Sequence, residues 1–156
     1  MKRKLFTVVA ILFINLIAIG QNLFIIGDKS YPCTNAIRLI SNSDDDNDLE
    51  VFIGKNGKSG LVGLSKKSEL SEEFIGKLNI YLADGTVLIC TEKVTAENVD
   101  DDAKALYNLT EDQLNKLKVS NIHTVKYSMT WLKELKYSAS NKGIETHVII
   151  NEFFKE

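Results

Sequence analysis

One proline, one tryptophan, two cysteines and two histidines in 156 residues leave few side chains for several kinds of chemistry. His123 and His147 are 24 positions apart, and Cys33 and Cys90 lack the close spacing of a zinc knuckle, so no metal ligand set is expected. No Gly-x-Ser-x-Gly elbow presents a serine nucleophile. Both histidines fall in segments whose apolar periodicity already accounts for them, so no catalytic residue and no cofactor are assigned. Lys and Arg form no clustered stripe, and 21 Asp+Glu outnumber 19 Lys+Arg. Nucleic acid and anionic membrane faces are therefore not expected partners.

What is present begins with the leader pattern. Lys2-Arg3-Lys4 precedes an uncharged run from Leu5 to Ile19, which ends at Ala18-Ile19-Gly20-Gln21. A basic n-region, an apolar h-region and a small-residue exit make residues 1–20 a signal peptide, cleaved between Gly20 and Gln21; the competing reading is an uncleaved anchor. No cysteine stands where a lipoprotein signal requires one. The expectation is an exported protein, periplasmic or secreted, with no stable membrane association after cleavage. Its single domain, residues 21–156, carries 16 basic and 21 acidic residues. A chain of that length can bury roughly two thirds of its unfolded surface.

Export bears on the cysteines. In an oxidising compartment Cys33 and Cys90 are the minimum set for one disulfide; otherwise they are two buried thiols. A bridge across 57 positions would stabilise by ~4 kcal/mol in the loop-entropy model.

Strand signals dominate the rest. Leu23–Ile26, turn chemistry at Gly27-Asp28-Lys29 and a return from Tyr31 toward Ile40 predict a first hairpin, with Pro32 placing an irregular spot near Cys33. Asn56-Gly57 predicts a second, pairing Val51 with Val62 and Leu49 with Leu64. Asp84-Gly85 predicts a third, pairing Leu82 with Val87, Ile80 with Ile89 and Asn79 with Cys90, which puts the aliphatics on one face and Cys90 on the other. Ser41–Asp48 reads as a solvated acidic loop; Asp44, Asp46 and Asp48 match the start of a calcium loop, but Leu49 and Lys55 break the match. Ser65–Glu73 reads as a polar connection, and Glu92–Lys104 as an acidic segment without a clear period.

Thr110 and Gln113 write a capping box for a helix over Leu109–Lys118, with Leu109 and Leu114 at the staple positions. Asn108-Leu109-Thr110 also matches a glycosylation sequon, for which the helix start is a sufficient explanation. Ile122–Met129 alternates as a strand, with Val125, Tyr127 and Met129 on one face. Trp131–Tyr137 is a short strand or a loop, and Asn141–Phe154 fits an amphipathic helix better than a strand. The fold expected is α+β: a small antiparallel β-sheet of about three hairpins packed by one or two helices.

Function is left as a class. The expectation is a non-catalytic exported binding or protein-interaction module with an unidentified protein or glycan partner and an undetermined oligomeric state. Trp131 and Tyr137 are the candidate interaction residues, because aromatics dominate contact energies at interfaces and on sugars. The competing class is a small extracytoplasmic hydrolase using carboxylates or a Cys–His pair. A third is a structural subunit whose exposed sheet edge pairs with a partner strand.

Overall fold

The computed structural model describes residues 12–16, 21–42, 47–68 and 71–155. Strands make up 60% of it and helix 12%, so the expected three-hairpin α+β sheet is corrected to a mostly β fold. Among the described residues, twelve strands form one antiparallel sheet, most of which curls into a nearly closed barrel. They are β1 (Leu12–Leu16), β2 (Gln21–Ile26), β3 (Lys29–Cys33), β4 (Ile37–Ser41), β5 (Leu49–Asn56) and β6 (Ser59–Lys67). After these come β7 (Glu73–Leu82), β8 (Val87–Cys90), β9 (Lys93–Val99), β10 (Asp102–Leu109), β11 (Ile122–Thr130) and β12 (Glu134–Ser140). Helices α1 (Glu111–Leu117) and α2 (Thr146–Phe154) are the two described helices, and neither is long enough to cross a membrane.

The wall runs β4-β12-β11-β7-β8 in one direction from β5 and β4, and β5-β6-β10-β9 in the other. Residues 87–99 join its ends by changing partner: β8 pairs with β7, and β9 pairs with β10. On the far side, among the described residues, the seam between β4 and β12 has two ladder pairs, Ser41 with Ala139 and Ile40 with Ser140. Asn42 reinforces it, donating its side-chain amide to Ser138 Oγ at 3.1 Å and Ser140 Oγ at 2.8 Å.

Side chains fill the interior. Alternate residues of the barrel strands point inward, among them Leu49, Val51 and Ile53, Leu78 and Ile80, and Val125, Tyr127 and Met129. Leu114 and Leu117 of α1 and Ile150 of α2 close one end over them. The capping box forms as its sequence spacing requires: Gln113 N donates to Thr110 Oγ1 at 3.1 Å, and Thr110 N to Gln113 Oε1 at 3.0 Å. The C-terminal helix starts later than its pattern suggests. Asn141 caps the preceding turn, its Oδ1 accepting from Ile144 N at 2.8 Å, while the buried Thr146 hydroxyl accepts from Ile122 N at 2.8 Å.

A second, smaller cluster lies outside the wall. Phe24 and Cys33 of the β2–β3 hairpin cover Phe52, Leu61 and Leu106, the outward residues of β5, β6 and β10. Most of the expected leader, residues 1–11 and 17–20, lies outside the described residues, as do Asp44 and Asp46; residues 12–16 pair with β2.

Two hairpin registers differ from their sequence expectation, with unequal consequences. In β5–β6 the loop residues are Gly57-Lys58, so Val51 pairs with Leu64 and Ile53 with Val62. That is a slip of two positions, and Leu49, Val51, Ile53, Val62 and Leu64 keep their shared inward face. In β7–β8, Ile80 pairs with Leu88 and Leu78 with Cys90, a slip of one. Gly85, at φ 90°, takes the left-handed last position of a three-residue loop, and Leu82 N donates to Thr86 O at 2.8 Å. Cys90 and Leu88 therefore point into the barrel, and Val87 and Ile89 point to solvent, reversing the expected faces.

The acidic segment that shows no clear period in the sequence belongs to a hairpin, β9–β10. Asp100 and Asp101 take φ values of 52° and 64° at its tip, a left-handed pair that short acidic side chains tolerate. Its inward residues include Ala103 and Ala105, whose small side chains leave a weak hydrophobic signal. The polar connection after Ser65 likewise continues β6 to Lys67.

Candidate functional site

The barrel end opposite the helices is the more chemically varied one. Strand β11 runs out at Thr130 and β12 begins at Glu134, so residues 131–133 form a tip beyond the last ladder pair, Thr130 with Glu134. Trp131 continues the inward parity of Val125, Tyr127 and Met129, but it lies beyond the last ladder pair of the described residues and stays exposed. It is 54% exposed, beside Leu132 at 82% and Leu135 at 36%. Together with Lys133 and Glu72 they line a hollow of about 470 Å³.

Glu72 forms a fixed wall of that hollow. Its carboxylate accepts from Tyr137 Oη at 3.2 Å and Ser68 Oγ at 3.3 Å. Its backbone N donates to Ser68 Oγ at 3.1 Å, and its carbonyl accepts from Asn98 Nδ2 at 3.3 Å. These bonds tie the segment before β7 to β12 and β9. Behind them Tyr137 stacks on Tyr127, with centroids 5.7 Å apart and planes 19° apart. The buried Lys66 ammonium lies 5.5 Å from the Tyr137 ring and donates to Asn47 O at 2.8 Å. A buried cation that is hydrogen-bonded and faces a ring is a tolerable arrangement; an uncompensated one would not be.

The two interaction candidates therefore part company. Trp131 offers its indole to solvent, whereas Tyr137 faces the interior and supports the hollow from behind through Glu72. Sequence reasoning passed over Leu132, Leu135 and Glu72. The signal available for Leu132 was the adjacent apolar pair Trp131-Leu132, which departs from the alternation of the preceding strand, whereas Leu135, between Glu134 and Lys136, carried none. For Glu72 there was none, since its position depends on contacts with residues 26 and 65 positions away.

The remaining candidates are separated. Cys33 and Cys90 are free thiols in different places, one in the outer cluster and one in the barrel interior, so the structure does not bring the candidate disulfide pair together. Burial pushes each thiol up to about 12. His123 is exposed, with Nδ1 2.8 Å from Thr124 Oγ1, and His147 Nδ1 lies 2.6 Å from Asn121 Oδ1. Among the described residues, no three His, Cys, Asp or Glu side chains gather as a metal site. Comparison with protein-family models, curated proteins and solved structures finds no match to this chain.

Proposed function

We propose that this protein is an exported, non-catalytic binding module that docks a protein partner on the rim formed by Trp131, Leu132 and Leu135. The observation that carries this reading is the exposure of these three large apolar side chains side by side on one hollow, backed by a hydrogen-bonded wall at Glu72. A rigid aromatic anchor beside aliphatics is the usual composition of an interface centre, and such a patch is costly to leave in water. A protein surface suits it better than a glycan, because Tyr137 and Ser68 already occupy the Glu72 carboxylate and few polar groups are left to bind hydroxyls. The side-chain-filled barrel also favours contact at the surface over a central ligand. Export rests on the leader pattern of residues 1–20.

The hydrolase alternative draws little support from the geometry. A Cys–His pair needs a thiolate near a histidine, and both thiols are buried and protonated at neutral pH. The test is site-specific photo-cross-linking in the extracytoplasmic fraction, with a benzophenone side chain at Leu132 and, as control, at the exposed Val119 beside α1. One discrete protein adduct from position 132 and none from 119 is expected. No adduct at 132, or the same adducts from both positions, would remove the rim as the contact surface.

A further inference from the structure

The outer edge of β2 is occupied here by β1, and β1 belongs to the segment read as a cleaved leader. Because β2 has only β1 and β3 as neighbours among the described residues, loss of residues 1–20 turns it into the end of the sheet. Natural edges of this kind are guarded by lysine, proline or an inward charge. Gln21-Asn-Leu-Phe-Ile-Ile26 contains none of these. Its alternation puts Phe24 on the buried cluster, with Leu23 and Ile25 only half-buried.

The way β1 sits on this edge indicates what fits there. The antiparallel register sets Phe13 opposite Phe24, Asn15 opposite Asn22, Ile14 opposite Leu23 and Leu12 opposite Ile25. A strand suited to the edge is thus one whose sequence, read backwards, resembles β2 itself. We propose that in the mature chain this edge pairs with the same edge of a second copy, giving a two-fold symmetric dimer with Phe24 of one copy opposite Phe24 of the other. The proposal rests on the export reading for the removal of the leader. In this register Leu23 of each copy is opposite Ile25 of its partner, so the residue classes that the β1 register sets opposite positions 23, 24 and 25 are reproduced. Asn22 departs from that pattern and faces Ile26. No charge lies in the strand, so symmetry brings no like charges together. All residues of both apolar clusters lie at position 24 or beyond, so residues 21–156 keep the whole described core.

The experiment has two stages whose failures are distinct. Intact mass of the protein recovered after export shows whether residues 1–20 are gone; a retained leader overturns the export reading, and the pairing is then read on residues 21–156 produced directly. Sedimentation across roughly 1–500 μM, the span expected of a small interface, should show the mass rising from one chain toward two. Leu23→Lys with Ile25→Lys places lysine opposite lysine twice and should weaken the dimer at least ~10-fold. Mixing the single variants Leu23→Lys and Ile25→Glu should restore pairing, because each mixed dimer sets lysine opposite glutamate once. Hydrogen exchange on the unsubstituted chain supplies a readout that no substitution can spoil: amides of residues 22–26 should gain protection with concentration. A chain that stays monomeric throughout, a dimer indifferent to the double lysine variant, or protection of β2 that does not change with concentration would each overturn the proposal.

Discussion

Gly54 is where the outer hairpin meets the barrel most closely, and its substitution tests that packing directly. A Cβ added there would lie 2.7 Å from Phe24 Cε2, 2.9 Å from Phe24 Cδ2 and 3.3 Å from the Pro32 carbonyl oxygen. The first two distances are well inside contact. The Phe24 ring has no exposure and stands edge-on to Phe52, with centroids 6.3 Å apart and planes 78° apart, so it cannot swing away without opening the cluster. Gly54→Ala should therefore cost about 1–3 kcal/mol, the usual range for overpacking. Phe24→Ala alone should cost about 3–5 kcal/mol through lost burial and a cavity. Together they should cost much less than the sum: without the ring the two contacts inside 3 Å are gone, the Pro32 oxygen at 3.3 Å is the nearest remaining neighbour, and a strand gains from losing a glycine. A coupling of about 1–3 kcal/mol is expected from the double-mutant cycle. Urea unfolding of residues 21–156 reads it, with a midpoint shift of ~1 M for 2 kcal/mol. Where Phe24→Ala leaves too little stability to measure, Phe24→Leu gives the same cycle with smaller terms. Additivity within ~0.5 kcal/mol would refute the placement of β2 over β5, and with it the edge on which the dimer depends.

Two further outcomes follow from other parts of the fold. Thr110→Ala removes the acceptor for Gln113 N from a helix of seven residues and should lower stability by about 1 kcal/mol, whereas Thr110→Ser should retain most of it; thermal melts compare the two. Alkaline pH should weaken the fold. Cys33 and Cys90 are raised from 9.0 to about 12 and Tyr107 from 10.0 to about 12, chiefly by burial, so above pH 9 the native chain holds protons that the unfolded chain has released. The stability these groups contribute is fully present below pH 9 and is lost progressively toward pH 12. Urea midpoints at pH 8, 9, 10 and 11 should fall stepwise, and Cys90→Ala should flatten the decline relative to its own pH 8 value. An unchanged slope in that variant would remove the buried thiol as its cause.

Much of the local structure is legible in the chain. The capping box at Thr110 and Gln113 needs only residues three apart, and it forms as written. The alternation of Val125, Tyr127 and Met129 assigns the inward face of β11 because a strand has a period of two wherever it lies. The same period explains how far a register error spreads: the two-position slip in β5–β6 left every face intact, whereas the one-position slip in β7–β8 turned Cys90 inward and Ile89 outward. Asp84-Gly85 marks a turn but leaves its length open, and that length decides which side of the sheet the cysteine occupies.

Closure of the barrel was decided by the tertiary structure. Residues 87–99 pair with β7 and then with β10, an exchange that no local pattern announces, because residues 87–90 read as the return of a hairpin and residues 92–99 as part of an acidic segment without a clear period. Ala103 and Ala105 are buried in the wall, and side chains that small leave the strand that contains them with only a weak alternation signal. The candidate rim has the same origin. Trp131 and Tyr137 look alike as aromatics in an uncertain segment; the end of the wall at Thr130 leaves one in water, and the stack on Tyr127 draws the other inside. Glu72, 65 positions from Tyr137, becomes part of that rim only through the closed sheet. Periodicity and caps are properties of neighbouring residues and are carried by the chain itself, whereas burial and juxtaposition depend on which distant strands meet.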